Sequence, residues 1–353
     1  MMRDVKRRIA FFLCMILLLT SSCTAVDSSK SENNPEKEDK IQIGMSFDSF
    51  VIERWQRDRD IFVSMAKELG AEVNVQNANG DIEEQKKQID YFIKKEMDVI
   101  VIICIDSEGL KEHVQKAKEV GIKIIAYDRL INNADVDLYI SFDNEMVGTM
   151  MAQALVDEGI GGGSVLMLGG SAADNNVSLV EYGFREVMKE NNVEILDSMH
   201  ADGWKAELAA AYVYDNMDIV AQADAIMCGN DDLASKVVHA LSEKRMAGNI
   251  LVVGQDADLE ACQRIVEGTQ VMTVYKPVEK LAQRAAECAV QLARGEDIRG
   301  ADVSMLPNGS LEIPYIGLEP ISVNEDNINE VIIGSGFHLK EDVYLNVPGK
   351  MPQ

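Results

Sequence analysis

The two tryptophans of this chain both stand among charged residues rather than in an apolar segment. Trp55 lies within ERWQRD (residues 53–58), and Trp204 lies within DGWK (residues 202–205). An indole needs an apolar partner surface. A small polyhydroxylated ring would supply one, because its C–H faces pack on aromatic rings while its hydroxyls bond to nearby carboxylates, amides and guanidinium groups. The pattern favours two indoles closing on such a ring; the alternative is that each indole caps a helix or packs under a loop.

Further polar side chains follow the predicted strands, at the point where each strand ends. Ligands of open parallel sheets bind beyond these carboxyl ends, where the loops converge. Asp and Asn at such positions could simply cap the next helix. Capping does not explain Arg54, Arg129 and Lys276, because the helix macrodipole disfavours cations at an amino terminus. These three cations are therefore the residues for which a ligand-binding role is best supported.

The segments that position these residues alternate between short β-branched runs and longer amphipathic stretches, which predicts βαβ units and parallel sheets. We predict a first set of strands at residues 41–47, 72–75, 99–104, 123–126 and 138–141. A second set is predicted at residues 164–168, 225–228, 250–253 and 271–275. Helices are predicted between the strands, among them residues 55–69, 82–95, 144–158 and 277–294. The tail after residue 300 shows short strand-like pieces at residues 312–315 and 331–333. The two sets of alternating strands and helices together indicate two α/β lobes.

The first residues are typical of a bacterial export signal. Basic residues precede an apolar run at residues 9–19, which is too short to span a bilayer. Small residues then lead to Cys23, which predicts a lipoprotein signal peptide over residues 1–22 with lipidation of Cys23; a plain cleaved signal peptide is the alternative. Residues 23–39 are polar, lack an apolar period and are expected to form a flexible tether. The protein is thus expected to be exported and anchored to the membrane only through its lipid.

The formal charge of −25 disfavours nucleic acid and anionic membranes as partners. Four of the six cysteines lie in apolar patterns without a CxxC unit, which predicts buried free thiols rather than disulfides or a metal site. They are Cys104, Cys228, Cys262 and Cys288. The four histidines are scattered, which argues against zinc or triad chemistry. We therefore expect neither a metal nor a cofactor.

Six motifs, in order along the chain, closely resemble those of bacterial D-xylose-binding proteins, which belong to the type I periplasmic sugar-binding family of ABC importers. The motifs are ERWQRDRD (53–60), AYDR (126–129), YISFDN (139–144), DNN (174–176), GQDAD (254–258) and MTVYKP (272–277). The resemblance implies an α/β fold with two doubly wound parallel-sheet lobes joined by three crossing hinge strands. We expect an N-terminal lobe of residues 40–143 plus 277–307 and a C-terminal lobe of residues 144–276 plus 308–346.

The resemblance also implies a set of ligand contacts in the cleft between the lobes. Trp55 and Trp204 would stack on the two faces of the sugar. The hydrogen-bonding residues would be Arg54, Asp128, Arg129, Asp174, Asn176, Asn230, Asp256 and Lys276. The chain departs from the family after Trp204, where a proline usually follows soon, and at Cys104, near which a strand-end proline is common. Neither departure removes an expected contact.

The function implied is binding of D-xylose outside the cytoplasm, with hinge closure around the sugar and delivery to an ABC permease. A xylose-sensing lipoprotein that contacts the ectodomain of a membrane histidine kinase is the alternative. A glycoside hydrolase is disfavoured, because cations and amides among the polar residues would orient hydroxyls without raising the pKa of a catalytic acid. A repressor core is disfavoured because no basic helix-turn-helix precedes residue 40. An enzyme is therefore not expected.

Overall fold

The computed structural model describes residues 40–298 and 300–352. The predicted signal peptide, the tether and Cys23 lie outside the described residues. Within the described ranges, none of the helices combines the length and the apolar character that a bilayer crossing requires.

The described chain alternates strands and helices, as the βαβ pattern predicts. Its strands are β1 (Gln42–Phe47), β2 (Glu72–Asn77), β3 (Val99–Ile102), β4 (Lys123–Tyr127), β5 (Leu138–Phe142), β6 (Ser164–Gly169), β7 (Glu194–His200), β8 (Ala225–Cys228), β9 (Leu251–Gln255), β10 (Met272–Tyr275), β11 (Val303–Asn308), β12 (Leu311–Leu318) and β13 (Ile321–Val323). Its α-helices are α1 (Arg54–Glu68), α2 (Ile82–Lys94), α3 (Lys111–Glu119), α4 (Asn144–Asp157), α5 (Asn175–Glu190), α6 (Ala206–Asp215), α7 (Met217–Val220), α8 (Asp231–Glu243), α9 (Leu259–Glu267), α10 (Val278–Ala293) and α11 (Lys340–Val343).

The strands form two sheets, one in each lobe. The first sheet has the order β11-β12-β5-β4-β3-β1-β2, and the second has the order β13-β10-β9-β8-β6-β7. Pairing is parallel except at β11 with β12 and at β13 with β10. The central strands β3 and β8 are buried along their whole length, because helices cover both faces of each parallel sheet. The helices leave the carboxyl ends of the parallel strands uncovered. Side chains of the two lobes can meet at these strand ends.

The chain passes between the lobes three times: from β5 to α4, from β10 to α10 and from β12 to β13. The predicted start of the C-terminal lobe's last segment at residue 308 is wrong. Strand β12 still belongs to the first sheet, where it lies parallel to β5 with Tyr315 opposite Tyr139. The final crossing comes only after Leu318, because the hairpin of β11 and β12 must first complete the edge of the first sheet.

Three strands escaped prediction, and one predicted strand is absent from its position. The missed strands β7, β11 and β13 lie at sheet edges and are partly solvent-exposed, so they lack the continuous apolar run of a central strand. Residues 331–333 were predicted as a strand and instead belong to the π-helical turn Asn329–Ile333. A short apolar run alone does not distinguish a strand from a buried helical turn.

Two glycines let helices α4 and α5 approach closely in the second lobe. A Cβ atom at Gly148 would lie 1.8 Å from the carbonyl oxygen of Val180, and one at Gly183 would lie 2.1 Å from the carbonyl oxygen of Glu145. Since no real Cβ tolerates such distances, the two helices could not pack this way with larger residues. This contact holds α5, which carries the predicted site residue Asn176 and is capped by Asp174.

We expect Gly148→Ala to lower the free energy of unfolding by roughly 1–3 kcal/mol, because the added methyl group forces α4 and α5 apart. Denaturant unfolding measures this change. The control is Gly161→Ala, where the nearest atom to a new Cβ is the Asn191 carbonyl oxygen at 4.0 Å. Equal stability of both variants would show that the helices can separate without cost.

Candidate ligand-binding cleft

The ten residues predicted to contact a ligand all lie after strand ends that face the cleft between the lobes. The first lobe supplies Arg54 and Trp55 at the start of α1, and Asp128 and Arg129 after β4. The second lobe and its crossing supply Asp174 and Asn176 after β6, Trp204 after β7, Asn230 after β8, Asp256 after β9 and Lys276 after β10. Each of these side chains is at most 7% exposed. Buried polar groups in this number require partners.

Arg54 is the centre of the ion pairs in the first lobe. Its Nη1 lies 2.9 Å from Oδ1 of Asp128, and its Nη2 lies 3.0 Å from Oδ1 of Asp58. The hydroxyl of Tyr127 donates to the same Asp58 oxygen at 2.5 Å. Asp256 of the other lobe approaches Arg54 Nη1 at 4.0 Å. The guanidinium is thus fixed from behind by its own lobe and faces the second lobe in front.

Arg129 joins the two lobes directly. Its Nη1 lies 2.8 Å from Oδ2 of Asp48 and donates to the carbonyl oxygen of Cys104 at 3.0 Å, both in its own lobe. Its Nε lies 2.7 Å from Oδ2 of Asp174, in the other lobe. That same Asp174 oxygen accepts a hydrogen bond from Nε1 of Trp204 at 3.2 Å. The cleft is therefore closed, with charged pairs spanning it.

Two further polar pairs lie across or beside this cleft. Asn176 donates through Nδ2 to the backbone oxygen of Asp128 at 3.0 Å and to its Oδ2 at 3.2 Å. Nζ of Lys276 lies 3.2 Å from Oδ1 of Asp256. The three predicted cations thus converge on one cluster of carboxylates instead of pointing apart.

The capping alternative also holds for two of the residues. Asp174 accepts a hydrogen bond from the backbone N–H of Asn176 at the start of α5, and Asn230 accepts one from Leu233 at the start of α8. In both side chains a second polar atom takes no part in the helix cap. The other oxygen of Asp174 faces Arg129, and Nδ2 of Asn230 is buried with no hydrogen-bond partner within the described part of the chain.

Each indole contacts one member of the Arg129–Asp174 pair, Trp55 the guanidinium and Trp204 the carboxylate. The guanidinium carbons of Arg54 and Arg129 lie 4.5 Å and 5.5 Å from the ring centroid of Trp55, as in cation–π contacts. Nε1 of Trp55 is buried and has no acceptor among the described residues. Trp204 packs one ring face on Gly170, where a Cβ would come within 2.2 Å of the six-membered ring. Each indole is thus held on the protein side and can offer its remaining surface to the cleft.

Within the carboxylate cluster, burial raises aspartate pKa values and the neighbouring cations lower them. Burial raises the pKa values of Asp48, Asp58 and Asp174 despite the opposing effect of their arginine partners. For Asp128, burial also raises the pKa, but the charges of Arg54, Lys276 and Arg129 together outweigh it and lower the pKa. Because the charges already pair with one another, the cleft offers hydrogen-bonding groups to a ligand rather than an unpaired charge.

A strained turn aims Asp256 at this cluster. Asp256 has φ +98° and Ala257 has φ +56°, a region that non-glycine residues seldom adopt. The turn is held by Oγ1 of Thr273, which accepts the N–H of Ala257 at 3.1 Å and donates to Asp231 at 2.6 Å. Asp231 also accepts the N–H of Asp258 at 3.2 Å. Asp231 and Thr273 thus support the turn from within the second lobe.

Sequence reasoning missed the residues that hold the predicted contacts in place. They are Asp48, Asp58, Tyr127, Asp231 and Thr273. The sequence pattern could have identified two of them. Asp58 lies four residues after Arg54 on one helix face, and Tyr127 precedes Asp128 in the AYDR motif. Asp231 follows Asn230 directly, so it was hidden by the expectation of a helix cap.

In the described part of the chain, no three His, Cys, Asp or Glu side chains are arranged to hold a metal ion. The prediction for the four internal cysteines is confirmed, since all are buried free thiols. Burial raises their pKa values, that of Cys288 to about 11.

Known proteins match this architecture over nearly the whole chain. Residues 43–297 match the family model described as periplasmic binding protein domain. A D-xylose-binding periplasmic protein of Haemophilus influenzae is 42% identical over 334 residues, covering 93% of this chain and 98% of that protein. The protein of the same name from Escherichia coli is 41% identical over 346 residues, covering 96% and 99%. The structure of an ABC transporter solute binding protein from Clostridium phytofermentans with bound β-D-glucose has a TM-score of 0.76 at 26% identity, covering 86% of this chain and 99% of that chain.

Two α/β lobes with a polar cleft between them define a type I binding protein, a class that binds substrates rather than transforming them. The chain belongs to the periplasmic binding protein family. The expected fold class and the resemblance on which it was based are thereby confirmed.

Because Gly170 supports the ring of Trp204, Gly170→Ala should displace the indole. In a Trp55→Phe background Trp204 is the single tryptophan, and we expect its fluorescence emission to shift to the red as the ring moves from a site where it is 7% exposed. Adding Gly161→Ala to the same background should leave the emission unchanged. An unshifted spectrum in the Gly170→Ala protein would contradict the packing described for Trp204.

Proposed function

We propose that this chain binds D-xylose in the interlobe cleft outside the cytoplasm and presents the sugar to an ABC permease for import. One observation carries the proposal: ten buried side chains from the strand ends of both lobes, two of them indoles, converge on a single cleft. The names of the two relatives at 41–42% identity support the choice of sugar, and the β-D-glucose of the matching solved structure supports a pyranose as the ligand shape.

Hydrogen bonding would give the site its selectivity. Arg54, Arg129 and Lys276 would donate to sugar oxygens, and carboxylates such as Asp256 would accept from hydroxyls. A hydroxyl of the wrong configuration leaves a buried partner unpaired, at about 1–3 kcal/mol each. Several such contacts would discriminate epimers. The indoles would add apolar contact with the C–H faces of the ring.

The lobes would close around the sugar because each lobe supplies some of the ligand contacts. The first lobe supplies Arg54 and Arg129, and the second supplies Asp174 and Asp256. A sugar that bonds to both sets stabilises the closed state over the open one. The closed pair of lobes would then be the form that docks on the permease. We propose a permease rather than a histidine kinase ectodomain as the partner, because the matching solved structure is an ABC transporter solute binding protein.

Calorimetric titration of the protein without residues 1–22 tests the ligand. We expect D-xylose to bind at least tenfold more tightly than D-ribose, L-arabinose or D-glucose, since each of these leaves a cleft group mismatched or adds a group to be accommodated. Trp204→Ala and Asp256→Ala should each raise the Kd for D-xylose at least tenfold.

Matched controls for these two variants are Tyr182→Ala, an aromatic side chain that is 54% exposed, and Asp215→Ala, an exposed carboxylate. Both should leave the Kd unchanged. The assignment of the sugar is wrong if D-xylose produces no heat of binding, and the assignment of the site is wrong if the two cleft variants bind as the unaltered protein does.

We further propose that Cys23 is lipidated and anchors the chain. Cys23→Ser should abolish incorporation of a labelled fatty acid and move the protein from the membrane fraction to the soluble fraction, since no lipid would hold it. Cys14→Ser is the control, because Cys14 falls within the predicted signal peptide and should change neither result. Retained labelling in Cys23→Ser would rule out this anchor.

A further inference from the structure

Two residues of the C-terminal segment lie directly behind the charged pair Asp256 and Lys276, and the proposed function does not use them. They are Phe337 and His338, which follow the π-helical turn Asn329–Ile333. We call these two residues the C-terminal strap. Phe337 is buried and His338 is half-buried.

His338 holds the strained turn that presents Asp256. Its Nε2 lies 2.8 Å from the carbonyl oxygen of Ala257, the residue after Asp256. A carbonyl oxygen only accepts hydrogen bonds, so Nε2 must carry the proton. Thr273 holds the N–H of Ala257 from the other side. Both polar groups of the Ala257 backbone are therefore fixed, and this stabilises the positive φ values of the turn.

Phe337 supports the strand end that presents Lys276. Its ring meets the ring of Tyr275, the residue before Lys276, with centroids 4.8 Å apart and an interplanar angle of 62°. Edge-to-face aromatic pairs of this kind stabilise a packing arrangement beyond simple burial. The strap thus contacts the immediate neighbour of each member of the Asp256–Lys276 pair.

Arg57 connects the strap to the other lobe. It lies on α1, one turn after Arg54, and its guanidinium carbon is 3.8 Å from the ring centroid of Phe337. Its Nη1 donates to the carbonyl oxygen of Phe337 at 3.1 Å. Glu279 at the start of α10 lies 3.5 Å from the same guanidinium. The helix that carries Arg54 and Trp55 is therefore linked through the strap to Asp256 and Lys276.

We propose that the C-terminal strap is a positioning element for the ligand contacts of the second lobe, with His338 fixing the Asp256 turn and Arg57 coupling that turn to closure of the first lobe. As far as it concerns sugar affinity, the proposal rests on the proposed function. Neither strap residue is expected to touch the sugar.

The test compares His338→Leu with His338→Gln, which keeps a side-chain N–H that can reach a carbonyl. Two measurements are made: hydrogen–deuterium exchange at residues 256–258 in the protein without sugar, and the Kd for D-xylose. We expect His338→Leu to speed the exchange and to raise the Kd about five- to tenfold, as for the loss of one buried hydrogen bond. His338→Gln should restore both. The exposed His239→Leu is the control and should change neither.

Arg57→Gln provides a second variant, because the Arg57 side chain is 34% exposed and its loss leaves the core intact. It should raise the Kd about threefold or more with unchanged exchange at residues 256–258, since the turn keeps His338. This variant decides the coupling to the first lobe even where His338→Leu does not fold.

The outcomes separate the strap from the proposed function. Unchanged exchange and Kd in His338→Leu, or an equal defect in His338→Gln, would overturn the role of His338. An unchanged Kd in Arg57→Gln would overturn the coupling. If the unaltered protein does not bind D-xylose, the proposed function fails, and the exchange measurement alone decides whether the strap holds the turn.

Discussion

The ion pair between Arg129 and Asp174 is the interaction on which the closed arrangement of the lobes depends. Both side chains are almost fully buried, and a buried charge without a partner is strongly destabilising. Asp48 binds Arg129 within its own lobe, but Asp174 reaches it only when the lobes are together. Closure therefore buries two charges and pairs them in the same step.

The groups that would meet a ligand are held by a second layer of residues. Asp58 and Tyr127 fix Arg54 from behind, and Thr273 fixes the turn that carries Asp256. Arginine in particular has many rotamers, and a partner that holds the guanidinium in place removes the cost of ordering it when a ligand binds. The strain at Asp256 persists because the surrounding hydrogen bonds define its conformation. Rigid placement of this kind is what discrimination between similar hydroxyl patterns requires.

Much of the fold could be predicted from the sequence, because buried parallel strands such as β3 leave continuous β-branched runs between amphipathic helices. The convergence of the ten residues on the cleft could be predicted because all of them follow strand ends, and all but Trp204 and Asn230 lie within the six motifs. The edge strands β7, β11 and β13 could not, since half-exposed strands carry mixed residues. Contacts such as Tyr127 with Asp58 join residues that are 69 positions apart, and no local pattern encodes them. The lobe boundary failed for the same reason: pairing of β12 with β5 is a long-range choice.

The threefold passage of the chain between the lobes also governs the order in which the protein can fold. Strand β5 is paired on one side by β4, but its other neighbour, β12, comes only after β6 to β11 along the chain. Until then the first lobe has an unpaired sheet edge, which is prone to wrong pairing with other chains. Neither lobe is a continuous stretch of sequence, so the first sheet cannot be completed until most strands of the second have been made. A chain of this topology therefore stays incomplete until both β12 and β13 have been made.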